Sequence, residues 1–165
     1  MNETDAAMLI LRVAVGMVIL AHGIKHARGR VKTGNWFGSI GFRQPQLQWF
    51  ASTATEIGVG VLLIAGLLTS FAAAGLIGVM TVAYWSVHRA AGFWVTARPD
   101  EGWEYVFVLT AAAFAIAIAG PGSTSIDGAS GLDTALNGWV GAALGLAGMV
   151  VAFGQLAMFF RPKPV

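Results

Sequence analysis

Between Phe50 and His88 the chain runs for 39 residues with a single charged side chain before its end, Glu56. A helix needs about 20 mostly apolar residues to cross a bilayer. At about 1.5 Å per residue this stretch is long enough for two crossings. The natural break is Leu68-Thr69-Ser70, which predicts spans over 50–68 and 71–89. Three more stretches read the same way: 6–24, 104–120 closed by Pro121-Gly122, and 138–160 closed by Arg161-Pro162. Glu3 and Asp5 precede the first, no Lys or Arg does, and Arg12 interrupts it, so it reads as a retained span and not a signal peptide.

Composition agrees. Charged residues are 11%, apolar residues 56%, and mean hydropathy is +0.70. A soluble domain carries about 25% charged residues. An ordinary soluble enzyme, a disordered chain and a basic nucleic-acid-binding domain are excluded. There is no cysteine. That removes disulfides, thiol catalysis, Cys-zinc sites and cysteine-ligated iron–sulfur clusters. An electron carrier must be held without cysteine or belong to a partner.

With five spans the loops alternate sides. One set holds Lys25, Arg28, Arg30, Lys32, Arg43, Arg89, Arg98, Arg161 and Lys163. The other holds only Glu3, Asp5, Asp127 and Asp133. Cytoplasmic loops carry the excess of Lys and Arg, so the N-terminus is expected outside and the C-terminus in the cytoplasm. Trp36, Trp49, Trp94 and Trp103 fall near the basic loops and Trp139 near the other face, as interfacial anchors do. The segment 25–49 mixes basic and aromatic residues and reads as a partly helical piece on the inner leaflet, or simply as a basic loop with interface anchors.

Ionisable residues inside a bilayer cost about 2.5–3.5 kcal/mol each and are read first as functional. His22, Glu56, His88 and Glu104 come from four spans at similar cytoplasmic-side depth, with Tyr84, Trp85, Trp94 and Tyr105 at nearby heights. They predict a polar pocket with aromatic walls. A buried Glu can carry a proton near neutral pH, and a His beside it exchanges protons and hydrogen bonds. Such a ring suits a quinone headgroup or another amphiphile. In this reading Glu56 handles the proton, and His22 and His88 bond the headgroup. Tyr84 and Trp94 form walls, while Arg12 and Glu104 hold the pocket's shape or the ligand's charge. Each also has a structural reading: Arg12 as a partner of backbone carbonyls, Glu104 as a helix start. No ExxH or HExxH spacing occurs, and no metal is expected. Gly141-xxx-Gly145 permits close backbone approach, within the bundle or against a second copy.

Several motifs, in order, resemble the DoxX family of small bacterial membrane proteins, over roughly residues 9–127. They are Arg12-x3-Gly16-x5-His22-Gly23, Glu56-x3-Gly60 with Gly66-Leu67-Leu68-Thr69, His88-x3-Gly92-Phe93-Trp94, Glu104-Tyr105, and Gly120-Pro121-Gly122-x2-Ser125-Ile126-Asp127. The stretch Arg98–Trp103 looks like actinobacterial members. Two features depart from the pattern. The family often has Lys four residues after the first-span His, where this chain has His26, and a fifth span follows the usual four.

The resemblance implies a four-span core, here over 1–127; the residues themselves add an outer loop, the fifth span and a short tail over 128–165, for which the family implies no role. It also implies a link to quinone-linked oxidoreductases and oxidative-stress complexes, by analogy alone. The expectation is an all-α integral protein of the bacterial inner membrane. It binds menaquinone, ubiquinone or a similar amphiphile and docks soluble redox partners on its cytoplasmic face, without being a self-sufficient enzyme. The alternatives are a non-catalytic scaffold or assembly factor and, third, a small-solute carrier, for which no inverted repeat is evident.

Overall fold

The computed structural model describes residues 1–162. Lys163, counted above with the basic residues, lies outside them. Helix α1 (Glu3–Arg28) starts at Asn2, whose side chain accepts from the Asp5 N–H while the Asp5 carboxylate accepts from the Asn2 N–H. This reciprocal cap satisfies donors that a helix start leaves unpaired. Lys25, His26 and Arg28 fill its last turn, where cations suit the dipole. Helix α2 (Arg30–Ser39) follows directly and supplies the helical part of the 25–49 segment. Helix α3 (Pro45–Ala65) has Pro at its first position and ends at Gly66, φ 65°.

The turn into α4 (Thr69–Ala83) is thus Gly66–Leu68, slightly earlier than the sequence break. Helix α4 runs on through a π-helical turn (Tyr84–His88) and α5 (Arg89–Ala91) as one helix of 23 residues. Then come α6 (Glu104–Ala119), the short α7 (Ile126–Ser130) and α8 (Asp133–Leu136), and α9 (Gly138–Phe159). Among the described residues four helices are long and apolar enough to cross a membrane: Glu3–Arg28, Pro45–Ala65, Thr69–Ala91 and Gly138–Phe159. Helix α6 is apolar but has 16 residues, about 24 Å. Large apolar side chains such as Ile10, Met17, Val61, Phe107 and Val150 face outward around the bundle. A water-soluble monomer does not expose such a belt, whereas a bilayer accepts it.

Helix α1 lies along α3, α3 and α6 flank α4, and α9 packs on α4 and α6. Glycines set the close approaches. A Cβ on Gly60 would stand 2.8 Å from the Leu20 Cα, and one on Gly23 would stand 2.9 Å from the Ile57 nitrogen. Both are too close for any side chain, so the α1–α3 contact is backbone on backbone. The glycine stripe of α9 is used the same way. A Cβ on Gly141 would strike the Ala117 carbonyl, one on Gly148 the Ala74 carbonyl, and one on Gly145 the Phe114 ring at 2.7 Å. The face at Gly141 and Gly145 that the sequence offers to a second copy is therefore filled by α4 and α6 of the same chain. Leu63, Ala73, Leu76, Ile77, Ala113 and Ile116 form the fully buried core between these helices.

The topology sorts charge by end. The C-termini of α1, α5 and α9 and the N-termini of α3 and α6 share the basic end. There an isolated bridge pairs Phe42 with Phe160, with Arg43 N–H donating to Phe159 O at 2.8 Å and Arg161 N–H to Gly41 O at 2.9 Å. The opposite end holds Glu3, Asp5, Asp127 and Asp133.

Candidate functional site

A cavity of about 660 Å³ lies in the basic half of the bundle, a size that suits a small organic ligand. Helix α1 contributes Ile19, His22 and His26, one face of a helix at three- and four-residue spacing. Helix α3 contributes Ala51, Ser52, Thr55 and Glu56. The α4 helix and its π turn contribute Gly78, Val82, Ser86 and His88; α6 contributes Tyr105, and α9 contributes Gly148, Val151 and Gln155. The π turn matters here, because a wider turn shifts the residues after it around the helix axis and such turns gather at functional sites.

Glu56 is 4% exposed. Its Oε1 accepts from Ser52 Oγ at 2.9 Å. Its Oε2 lies 2.9 Å from His26 Nδ1, yet the two are not aligned as a hydrogen bond, and neither atom has another partner among the described residues. A buried carboxylate oxygen without a partner is costly, and this one borders an open cavity. The His22 ring lies nearly parallel to Tyr105, centroids 6.3 Å apart. His88 Nδ1 is 2.6 Å from Glu101 O, which fixes its ring at the cavity margin. Gln155 Nε2 donates to the buried Gln48 Oε1 at 2.7 Å, tying α9 to α3.

Of the expected site residues, the structure brings Glu56, His22 and His88 to one cavity. It places the other four elsewhere. Arg12 is 1% exposed and sits toward the acidic end. Its Nε donates to Pro121 O at 3.1 Å, its Nη1 to Leu63 O at 2.9 Å and Ile64 O at 2.6 Å, and its Nη2 to Thr124 O. A guanidinium spent on carbonyls of α3 and the 120–125 loop has little left for a ligand. Glu104 accepts from the Val95 N–H at 3.0 Å and so anchors the α5–α6 loop. Tyr84 points away from the cavity and packs edge-on to Trp85 and Trp103. Trp94 is 66% exposed on that loop and packs on Phe93.

The sequence reading passed over His26, Glu101 and Gln155 as cavity residues. His26 carried a signal, since it lies one helical turn beyond His22 on the same face. Glu101 and Gln155 carried none, because a loop conformation and a helix rotation place them.

Asp127 dominates the acidic end. Its carboxylate accepts from the Leu68 and Thr69 N–H groups, both at 2.8 Å, and its own N–H donates to Gly66 O at 2.9 Å. It caps α4 from the first turn of α7 and holds Leu68 in a left-handed conformation, φ 48°. Arg12 and Asp127 thus bind the same turn, α3 to α4, from two sides. At the exposed first turn of α1, before the apolar stretch 6–24, Ser123 donates to Asp5 through both N–H (2.9 Å) and Oγ (2.7 Å), which holds the Asp5 carboxyl below the usual carboxylate range.

No solved structure matches the chain. An uncharacterized protein of Haemophilus influenzae is 27% identical over 132 residues, covering 75% of this chain and 83% of its own length. The family model DoxX matches residues 7–89, which hold Arg12, His22, His26, Glu56 and His88. On that match across half its length, the chain belongs to the DoxX family.

Proposed function

We propose that this protein is a redox-associated membrane subunit whose cavity takes the head of a quinone or similar amphiphile. The observation that carries the reading is Glu56 Oε2, buried at the cavity wall, 2.9 Å from His26 Nδ1 and with no aligned hydrogen bond among the described residues. A quinone becoming a quinol takes up two electrons and two protons. Glu56 is the proton-handling carboxyl, with His26 as the group that exchanges its proton toward the basic end. His22, stacked near Tyr105, and His88, fixed by Glu101 O, offer ring nitrogens to the headgroup. With no cysteine in the chain, electrons are to come from a soluble partner docked on the basic loops.

The same reading gives a bacterial inner-membrane protein with five spans, a core over 1–127 and an appended span near 138–160. The N-terminus lies outside and the C-terminus in the cytoplasm. It draws support from the sorting of basic and acidic residues to opposite ends. Helix α6, the shortest span, reaches the basic interface through Trp103 and Tyr105.

The test is mass spectrometry of an organic extract from gently purified protein, beside a mock purification and the Glu56→Gln variant. A near-stoichiometric quinone that is lost in the variant is expected. No enrichment over the mock, with the protein folded, replaces this reading with that of a non-catalytic scaffold.

A further inference from the structure

The cavity does not end at its polar head. Beyond Glu56 it continues between α3 and α9, which both lean on α4. Thr55 and Ala51 form one side, Gly75 and Gly78 of α4 the floor, and Gly148 and Val151 of α9 the other side. Toward the basic end Gln155 lines the cavity and donates to Gln48 Oε1 at 2.7 Å, joining α9 to α3 there. The α3, α4 and α9 residues named here are all small: Ala51, Thr55, Gly75, Gly78, Gly148 and Val151. Val151 lines the cavity and is also 71% exposed on the outer face of α9. A residue that does both marks a place where the cavity reaches the surface, and on that surface the neighbour is hydrocarbon.

We infer that the space between α3 and α9 is a lateral slot for the apolar chain of the ligand, whose head is held at Glu56, His26 and His22. This rests on the reading above and narrows it. The ligand is an amphiphile with one flat polar head and one long hydrocarbon chain, and it comes from the bilayer and not from water. The two halves of the cavity divide its chemistry. Carboxylate and imidazole face the head, which must exchange protons. Small residues with no polar group but the Thr55 hydroxyl flank the chain, whose burial is driven by area alone. The slot also gives the C-terminal helix a task. Helix α9 lies beyond the matched residues 7–89, and without it the slot has one side only.

The experiment compares two probes on the full chain in lipid nanodiscs: menadione, which has a quinone ring and no chain, and the same ring with an isoprenoid chain. Binding is read from quenching of tryptophan fluorescence, since Trp36 lines the cavity. Thr55→Phe and Val151→Phe fill the slot. Val151 is exposed, so that variant leaves the core intact even if Thr55→Phe disturbs folding. Each variant is expected to weaken the chain-bearing probe at least about tenfold, through lost chain burial, while menadione binding stays as in the wild type. Comparing variants within one membrane cancels the partition of the chain into lipid. Equal losses for both probes, or no loss for either, overturn the slot. If neither probe binds the wild type, or Glu56→Gln weakens neither, the quinone reading falls and takes the slot with it.

Discussion

His26 Nδ1 sits 2.9 Å from Glu56 Oε2 without forming an aligned hydrogen bond, at the wall of the cavity in the basic half of the bundle. The two groups are held close by the helices that carry them. Gly23 brings α1 against α3 so tightly that a Cβ there would stand 3.0 Å from the Glu56 Cβ. The pair is therefore a product of backbone contact, and its energetics can be separated by a double-mutant cycle. His26→Ala leaves Glu56 buried with Ser52 alone and is expected to cost about 1–3 kcal/mol. Adding Glu56→Gln removes the carboxylate and is expected to recover most of that loss. Thermal unfolding of the four proteins of the cycle measures it, and strictly additive effects would show that the two side chains do not interact.

Arg12→Leu should act at the other end. It leaves the carbonyls of Leu63, Ile64, Pro121 and Thr124 without their shared donor. The expected loss is roughly 3–5 kcal/mol, with hydrogen exchange rising across 120–127. Quinone binding by the fraction that remains folded should match the wild type. A variant that keeps its stability but loses the ligand would return Arg12 to the binding site.

Asp127→Asn keeps the shape of the α4 cap but removes its charge and, because an amide nitrogen cannot accept, leaves one of the Leu68 and Thr69 N–H groups without its partner. A loss on the order of 1 kcal/mol is expected, the usual scale for a helix cap. Asp127→Ala should cost more, because Leu68 then holds φ 48° with no side chain bonding its N–H. Denaturant or thermal unfolding in a mild detergent would rank the two, and the reverse order would remove the capping role.

The α9 glycines should resist enlargement in proportion to what they touch. Gly148→Leu drives a side chain into the Ala74 backbone and should lower stability sharply, whereas Gly154 has open space around it. Gly154→Ala is expected to be neutral or to stabilise by up to about 1 kcal/mol. Light scattering should show one unchanged oligomeric state across Gly141→Ala, Gly145→Ala and Gly154→Ala. Loss of a dimer in the first two alone would mean that the stripe faces a second copy after all.

Asp5 gives a pH dependence with a defined sign. Its carboxyl titrates below the ordinary value of 3.8 because Ser123 donates to the charged form. The stability it contributes is therefore complete above that value and is lost as pH falls through the folded-state value. The gap in unfolding temperature between wild type and Asp5→Asn should be fully open near about pH 6 and should narrow only as pH falls through the folded-state value, below 3.8. A gap that widened toward acid would contradict the Ser123 contact.

The sequence determined what a one-dimensional pattern can determine. Apolar run length located the long apolar helices, and the observed bounds Pro45–Ala65 and Gly138–Phe159 overlap the predicted 50–68 and 138–160, while the predicted span 104–120 appears as the 16-residue α6. Depth along each span set which ionisable residues share a level, and so brought Glu56, His22 and His88 to one cavity. What a run of residues does not encode is rotation of each helix about its axis and the path of the loops. Those decide direction. They turn Tyr84 away from the cavity and bring Gln155 into it, and they hold Glu104 to the loop at Val95 while leaving Glu101 at the margin. They also settle the sharing of Arg12 among four carbonyls from two distant segments, because only folded packing puts those acceptors within reach of one guanidinium.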